Sequence, residues 1–276
     1  MREIELKEMQ QIELQLLFEL DRVCKEKGLR YYIDGGTLLG AVCYDGFIPW
    51  DDDIDVKMPR PDYELLRTMQ GEFPEHILLD APRKEHCEFV FLKLTDSRTV
   101  LEEPKEYGVK TTGVYIDILP MDGHPEGTEI CERHIARLRR YNGLFHNSLS
   151  NFSGMIKSGS IVNRMKGLLY RTIYTPWRLY RLLTKTAEKY PYDGAKRVGL
   201  LIEGDPIRER FEKEWLEPPM MLEFEGRRFP APNEPEKHLS IFYRKPISRE
   251  LYYKNLPYIP SSHTHRVYWK EDPCRD

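Results

Sequence analysis

Residues 50–57 read WDDDIDVK, and this stretch sets the interpretation of the whole sequence. In it, Asp53 and Asp55 alternate with apolar residues. Successive side chains of a β-strand point to opposite faces, so a strand over residues 53–58 would place both carboxylates on one face. The sequence therefore predicts a strand that is apolar on one side and acidic on the other.

The region around this strand is crowded with negative charge. Residues 31–56 contain six Asp and no Lys or Arg. Neighbouring carboxylates repel each other, and hard oxygen ligands suit Mg²⁺ or Mn²⁺, so we expect Asp53 and Asp55 to bind such a cation. The alternative is a solvated acidic turn. An EF-hand is excluded, because a loop that starts at Asp51 has Val at its sixth position and Asp at its twelfth.

A glycine pair precedes the acidic stretch. A short helix is predicted over residues 37–44. Gly35 and Gly36 come just before it, and Thr37 is its first residue. Glycine lets a ligand approach the backbone closely, and a helix N-terminus offers unpaired N–H groups and the positive end of the dipole, which favour phosphate. We therefore expect these three residues to bind a substrate phosphate. A glycine pair followed by an Asp-x-Asp strand resembles the signature of the nucleotidyltransferase superfamily.

A longer match makes the resemblance more specific. Residues 35–66 read GGTLLGAVCYDGFIPWDDDIDVKMPRPDYELL, which resembles the core motif of the LicD family. Looser matches follow at KLTDSRT (93–99) and GVYIDILPMDG (113–123). This chain has Cys43-Tyr44 where members of the family commonly carry Arg-His.

The resemblance implies a function. Members of the LicD family transfer phosphocholine or related phospho-alcohols from CDP-linked donors to cell-surface glycans, and fukutin and the fukutin-related protein are similar animal members. A metal-dependent phosphotransferase is therefore implied, with a CDP-alcohol such as CDP-choline as donor and a cell-surface or lipid-linked glycan as acceptor. Two alternatives stay open: a nucleotidyltransferase that uses CTP or ATP with a small acceptor and, ranked lower, a non-catalytic nucleic-acid-binding protein. The intact acidic motif weighs against the second, so no nucleic-acid partner is expected.

Three further polar residues complete the predicted site. Asp117 lies in an apolar run, where an unpaired carboxylate is costly, and the superfamily resemblance implies that it ligates the metal or acts as base toward the acceptor. The alternative is a salt bridge with an arginine. Lys93 and Arg98 carry positive charge that could neutralise donor phosphates, although a surface position explains them almost as well. The predicted catalytic and metal-binding residues are Asp53, Asp55 and Asp117, and the predicted substrate-binding residues are Gly35, Gly36, Thr37, Lys93 and Arg98.

Periodicity predicts an α+β fold, and the resemblance implies a nucleotidyltransferase-like mixed β-sheet core flanked by helices. Apolar residues recur at three- or four-residue steps over residues 3–27, which predicts an amphipathic helix that ends at Gly28. Asp62 is expected to cap a helix that runs to Met69. Further strands are predicted at residues 29–33, 76–80, 89–94, 113–119 and 221–229.

Composition favours a globular protein of the cytoplasm. Of the 276 residues, 40% are hydrophobic and 32% charged, which fits a chain with a real core. No apolar run approaches the ~20 residues that span a bilayer, and the charged N-terminus does not resemble a secretory signal. The five Cys are scattered and form no C-x-x-C pair, which argues against a disulfide framework or a four-cysteine zinc site.

Charge divides the chain into parts. Residues 133–187 contain eleven Lys or Arg and no Asp or Glu, although the net charge is −3. We expect a catalytic core in residues 1–127, a basic and largely helical insertion in residues 128–190, and a C-terminal segment in residues 191–276 that completes the core and the acceptor side. The insertion has three interpretations: a membrane-surface helix, a solvated helical face or a nucleic-acid patch. Peripheral contact with the anionic inner face of the cell membrane ranks first, narrowly ahead of the solvated face.

Overall fold

The fold is seen in a computed structural model that describes residues 1–102, 112–149, 160–203, 206–207, 209–250 and 266–271. The helices are α1 (Leu6–Lys27), α2 (Gly35–Tyr44), α3 (Arg60–Leu66), α4 (Thr128–Leu149), α5 (Ile161–Thr172), α6 (Pro176–Ala187) and α7 (Pro235–Tyr243). The strands are β1 (Arg2–Glu3), β2 (Tyr32–Asp34), β3 (Asp55–Pro59), β4 (Ile77–Asp80), β5 (Leu92–Glu102), β6 (Thr112–Gly123), β7 (Arg197–Leu200), β8 (Phe211–Glu212), β9 (Met220–Phe224), β10 (Arg227–Ala231) and β11 (Arg266–Trp269).

Within the described ranges, nine of these strands form one mixed sheet. Its main path is β1-β11-β5-β6-β3-β2, with β4 beside β5 and with β7 and β8 extending from β6. Strands β3 and β6 run parallel, whereas β2 pairs with β3, and β5 with β6, in the antiparallel sense. Strands β9 and β10 form a separate hairpin. The predicted fold class, a mixed sheet flanked by helices, is confirmed.

Helix α1 covers the sheet with an apolar stripe. Leu17, Leu20 and Val23 are fully buried, as the three- and four-residue spacing predicts, and the helix packs on β5 and β6. It ends at Gly28, whose φ of 70° is left-handed and whose N–H bonds the carbonyl of Cys24. The helix is confirmed from Leu6 onward, together with its glycine stop, since glycine adopts this conformation without steric cost. The predicted start at residue 3 is too early, because Arg2–Glu3 form β1, which pairs with β11.

Strand β3 runs through the middle of the core. It begins at Asp55, two residues later than predicted, and its apolar face is fully buried at Val56 and Met58. The opposite face is buried as well, because Lys57 has only 2% of its surface exposed. A strand buried on both faces differs from the half-acidic strand that the sequence predicts, and the buried lysine needs charged partners.

The predicted cap of the next helix is wrong. Strand β3 continues to Pro59, so α3 begins at Arg60 and ends at Leu66, earlier than expected at both ends. Asp62 therefore falls inside the first turn, where its carboxylate accepts a hydrogen bond from Arg30 Nε at 2.8 Å.

The basic insertion contains α4, α5 and α6. Helices α4 and α6 pack against each other through buried residues that include Leu138, Phe145, Leu179 and Leu183. Helix α5 follows residues 150–159, which lie outside the described residues. The sequence SGMIKSGS at 153–160 predicts a linker, and all of it except Ser160 falls in that stretch. None of the described helices combines the length and the apolar character that a membrane span requires.

A buried charge network ties the C-terminal region to the sheet. The ammonium of Lys57 contacts the Asp34 carboxylate and donates to Glu209 Oε2 at 2.6 Å. The Nε2 of His238 lies 2.6 Å from the other oxygen of Asp34, and the His238 ring stacks on Phe211 with centroids 3.8 Å apart. Burial alone would raise the pKa of Asp34, but Lys57 and then His238 bring it well below its usual value. The network thus holds Asp34 as a carboxylate inside the core.

We expect Lys57→Met to destabilise the fold strongly. The substitution leaves Asp34 and Glu209 as buried carboxylates without their cation, so the free energy of unfolding should fall by about 3–5 kcal/mol. Urea denaturation measures this change. The exposed Lys25→Met variant, which loses a surface pair with Asp21, should shift stability by no more than about 0.5 kcal/mol. Equal stability of the two variants would contradict the role assigned to Lys57.

Candidate active site

Four charged residues form a row across four neighbouring strands. In the register of the sheet, Asp34 on β2 pairs with Asp55 on β3, Asp55 with Asp117 on β6, and Asp117 with Lys93 on β5. Residues that pair directly across strands lie on the same face of a sheet. The structure therefore brings together Asp55, Asp117 and Lys93, which the sequence predicted, and adds Asp34, which it did not.

Negative charge is concentrated at the β3 end of this row. Burial raises the pKa of Asp55 well above its usual value, and the charges of Asp53, Asp117 and Asp34 raise it further. Asp53 lies just before β3. The hydrogen bonding between β3 and β6 extends to its neighbour Ile54, whose carbonyl accepts the N–H of Asp117 at 2.9 Å. The predicted pair Asp53 and Asp55 therefore lies in one electrostatic cluster.

The preceding loop belongs to the same cluster. Burial, followed by the charges of Asp53 and Asp52, raises the pKa of Asp51 to about 7. The backbone of this loop is held by α1, because Gln10 Nε2 donates to the carbonyl of Asp51 at 2.9 Å. The acidic loop that precedes β3 is thus tied to α1.

Lys93 is the partner of Asp117. Its ammonium donates to Asp117 Oδ1 at 2.8 Å and lies 3.3 Å from the centroid of the Tyr115 ring. The sequence interpretation considered a salt bridge from Asp117 to an arginine, and in the structure the basic residue is a lysine from the neighbouring strand. Together with Lys57, which follows Asp55 by two positions, it supplies positive charge from inside the sheet.

Gly35, Gly36 and Thr37 lie against the same carboxylates. Gly35 has a left-handed φ of +57°, and a Cβ there would lie 2.8 Å from Asp55 Oδ2. A Cβ on Gly36 would lie 2.5 Å from Asp51 Oδ2. Thr37 Oγ1 accepts the backbone N–H of Asp55 at 2.9 Å. The glycine pair gives these two carboxylates room at the start of α2, and Thr37 fixes the start of β3.

Arg98 lies away from the row. It follows Lys93 by five positions along β5, which places it roughly 16 Å away at the usual rise of a strand. Its guanidinium bonds Asp96 at 2.6 Å and lies 5.5 Å from the Trp269 ring centroid. Of the eight predicted site residues, Arg98 is the one that the structure does not bring to the others.

Besides Asp34, sequence reasoning missed two more charged residues of this region, Lys57 and Glu13. Lys57 follows Asp55 by two positions and therefore shares its face of β3, which is a signal that the alternation contained. Glu13 is fully buried on α1, and its position four residues after Met9 and four before Leu17 sets it within the apolar stripe. A carboxylate on the apolar face of an amphipathic helix was the available signal.

The donor chemistry of the cluster fits a hard divalent cation. Carboxylate oxygens are the ligands that Mg²⁺ and Mn²⁺ prefer, and a cation would relieve the repulsion that raises the pKa of Asp55. Across the residues that the structure describes, however, no three His, Cys, Asp or Glu side chains are arranged to hold a metal ion. Binding by Asp53, Asp55 and Asp117 would therefore require their side chains to rotate, and Asp117 to loosen its bond with Lys93.

Comparison with known proteins identifies relatives of the chain. Residues 28–155 match the family described as LicD/FKTN/FKRP, nucleotidyltransferase domain. Over 251 residues the chain is 27% identical to the lipopolysaccharide cholinephosphotransferase LicD of Haemophilus influenzae, covering 88% of this chain and 91% of that protein. Over 49 residues it is 37% identical to the human and mouse ribitol 5-phosphate transferase FKRP, covering 18% of this chain and 10% of those proteins.

The matched residues contain every strand of the charged row. Strands β2, β3, β5 and β6 all lie between residues 28 and 155, together with the glycine pair at the start of α2. The similarity to the Haemophilus protein extends over most of the remaining chain. Residues 28–155 are thus similar to the LicD/FKTN/FKRP nucleotidyltransferase domain, and most of the chain is similar to the lipopolysaccharide cholinephosphotransferase LicD of Haemophilus influenzae.

Proposed function

We propose that the chain is a metal-dependent transferase that moves a phospho-alcohol, such as phosphocholine, from a CDP-linked donor to a hydroxyl of a cell-surface glycan or its lipid-linked precursor. The observation that carries the proposal is the row of Asp34, Asp55, Asp117 and Lys93 across four paired strands. The names of the relatives support it, since one is a lipopolysaccharide cholinephosphotransferase and another a ribitol 5-phosphate transferase.

In this proposal, Asp53, Asp55 and Asp117 would hold Mg²⁺ or Mn²⁺. When bound, the cation would polarise the phosphoryl oxygens of the donor and stabilise negative charge on the departing CMP. The protein fixes the backbone positions of the ligands: Thr37 holds the backbone of Asp55, and the register with β6 sets Asp117 beside it.

The donor pyrophosphate would bind where α2 begins. The first N–H groups of that helix and its dipole favour anions, and a cation held by the neighbouring aspartates would offset repulsion from the carboxylates of Asp51 and Asp55, which occupy the space at Gly35 and Gly36. Lys93, at the other end of the row, carries the positive charge nearest to Asp117 in the described structure and would compensate phosphate charge as it develops.

The transfer itself would be an in-line displacement. The acceptor hydroxyl oxygen forms a bond to the phosphorus that bears the alcohol, and the bond from that phosphorus to the CMP oxygen breaks. The hydroxyl proton passes to a carboxylate, for which Asp117, paired with Asp55 across β3 and β6, is the proposed base. Positioning and electrostatics would supply most of the rate enhancement.

The basic insertion would bring the enzyme to an anionic membrane surface, where lipid-linked acceptors reside. Helix α5 exposes Ile161, Val162, Met165 and Leu168, with 59–72% of each residue accessible. Positions 161, 165 and 168 lie on one side of the helix at steps of four and three, and Arg164 and Lys166 are exposed beside them. The helix contains no acidic residue. Apolar residues next to basic ones suit a lipid surface that carries negative charge.

Removal of a proposed cation ligand should abolish transfer without unfolding the protein. We expect Asp53→Asn and Asp55→Asn each to lower turnover by about 10²–10³-fold, because charge on the reacting phosphate loses its support. The melting temperature should stay the same or rise, since repulsion within the cluster decreases. Asp45→Asn is the matched control, because Asp45 pairs with Arg249 on the surface. Full turnover in the Asp55→Asn variant, or in excess EDTA, would refute the metal role.

The donor class is tested by the products. With CDP-choline, CDP-ribitol and CDP-glycerol, each with a panel of saccharide acceptors, we expect one donor to yield CMP and a phosphodiester, detected by ³¹P NMR. The Asp55→Asn variant should yield neither product. Release of pyrophosphate from CTP or ATP with a small acceptor would replace the proposal with a nucleotidyltransferase activity. Salt-sensitive binding of RNA or DNA without turnover would indicate the nucleic-acid-binding alternative.

Membrane contact is tested with vesicles. The protein should sediment with anionic phosphatidylglycerol vesicles at low salt and be released as salt rises, because each basic residue near the surface contributes about 1 kcal/mol. A Met165→Glu, Leu168→Glu double variant should remain in the supernatant yet keep its activity on a soluble acceptor. Leu65→Glu, which changes an exposed leucine outside the insertion, should sediment like the parent protein. Failure of the parent protein to sediment at low salt would show that the basic face is merely solvated.

A further inference from the structure

Glu13 is a buried carboxylate that forms no hydrogen bond with the residues that the structure describes. It lies on α1 with none of its surface exposed, and neither of its side-chain oxygens has a hydrogen-bond partner in the described part of the chain. An ionised carboxylate can only accept hydrogen bonds, and leaving it unpaired in the core is among the most costly arrangements in a protein. An apolar side chain at this position would avoid that cost, so packing alone gives no reason for a glutamate here.

The surroundings of Glu13 place it beside the acidic site. One turn earlier on the same face of α1, Gln10 donates to the carbonyl of Asp51, so this side of the helix lies against the acidic loop. Burial raises the pKa of Glu13 well above its usual value, and the charges that raise it further are those of Asp53, Asp52, Asp51 and Asp117. The charges that act on Glu13 are therefore those of the carboxylates in the candidate active site.

A carboxylate in this position has a use when a cation arrives. The row on β3 and β6 offers Asp55 and Asp117, but Asp117 shares its charge with Lys93. A divalent cation that prefers six or more oxygen ligands gains from a further carboxylate nearby. Glu13 approaches from the helix that packs on β6, a different element from those that carry the aspartates.

We propose that Glu13 is a further acidic group of the cation site, which supplies negative charge and oxygen donors from α1 to the ion held by Asp53 and Asp55. This inference rests on the proposed function, because it takes the acidic row to be a divalent-cation site. It extends that site from the sheet to the helix above it, so that α1 has a part in binding as well as in packing.

The test measures cation binding directly, with Mn²⁺ alone as the probe. Free Mn²⁺ is followed by electron paramagnetic resonance during titration of the parent protein and of Glu13→Gln, and melting temperatures are recorded with and without the ion. We expect Glu13→Gln to weaken Mn²⁺ binding by about 10–100-fold. Its melting temperature without Mn²⁺ should equal or exceed that of the parent protein, because an amide cannot carry the charge that burial and the nearby aspartates disfavour. The rise in melting temperature produced by Mn²⁺ should shrink.

Two controls make the result decisive. Glu26→Gln removes an exposed carboxylate from the same helix and should bind Mn²⁺ like the parent protein. Glu13→Met, of similar volume and without polar atoms, repeats the test if the amide variant folds poorly. A folded Glu13 variant with parental Mn²⁺ affinity, while Asp53→Asn has lost binding, would overturn the role of Glu13 and leave the proposed function intact. Absence of Mn²⁺ binding by the parent protein would overturn both.

Discussion

Repulsion between carboxylates on adjacent strands is the constraint around which this protein is built. Asp34, Asp55 and Asp117 are direct neighbours across β2, β3 and β6, and a sheet in that register cannot keep them apart. Two lysines of the same sheet offset part of the charge, Lys57 at Asp34 and Lys93 at Asp117. Asp55, between them, keeps a strongly raised pKa. The centre of the row is thus the place where the fold leaves negative charge for something else to neutralise.

The same constraint explains why small residues surround the row. Gly35 and Gly36 leave space that the carboxylates of Asp55 and Asp51 occupy, and side chains in their place would collide with those oxygens. Thr37 then binds the backbone of Asp55, so the start of α2 and the start of β3 are positioned by one another. A motif that suggests a phosphate cradle in the sequence also serves, in the folded chain, to house the acidic groups themselves.

Local patterns predicted what depends on neighbours in sequence, and failed where distant segments meet. The helix over residues 6–27, its stop at Gly28 and the apolar face of β3 follow from spacing alone. The pairing of Lys93 with Asp117 depends on strand register, which no local pattern states. Asp62 does not cap α3, because β3 runs through Pro59 and the helix begins at Arg60. Arg98 lies five positions along β5 from Lys93 and therefore away from the charged row. Glu13 is recognisable in the sequence as a charged residue on an apolar helix face. Its place beside the acidic loop, however, is visible only in the folded chain.

The network around Lys57 has a consequence for how the chain acquires its site during synthesis. Asp34 sits directly before the glycine pair, yet the groups that complete its surroundings, Glu209 and His238, lie more than 170 positions later. A ribosome that has made the four strands of the charged row, β2, β3, β5 and β6, has therefore not yet made the residues that complete the network around Asp34. The acidic row reaches its final packing only when most of the polypeptide has emerged, so translation that stops early yields a chain with every proposed cation ligand and an unfinished interior beneath them.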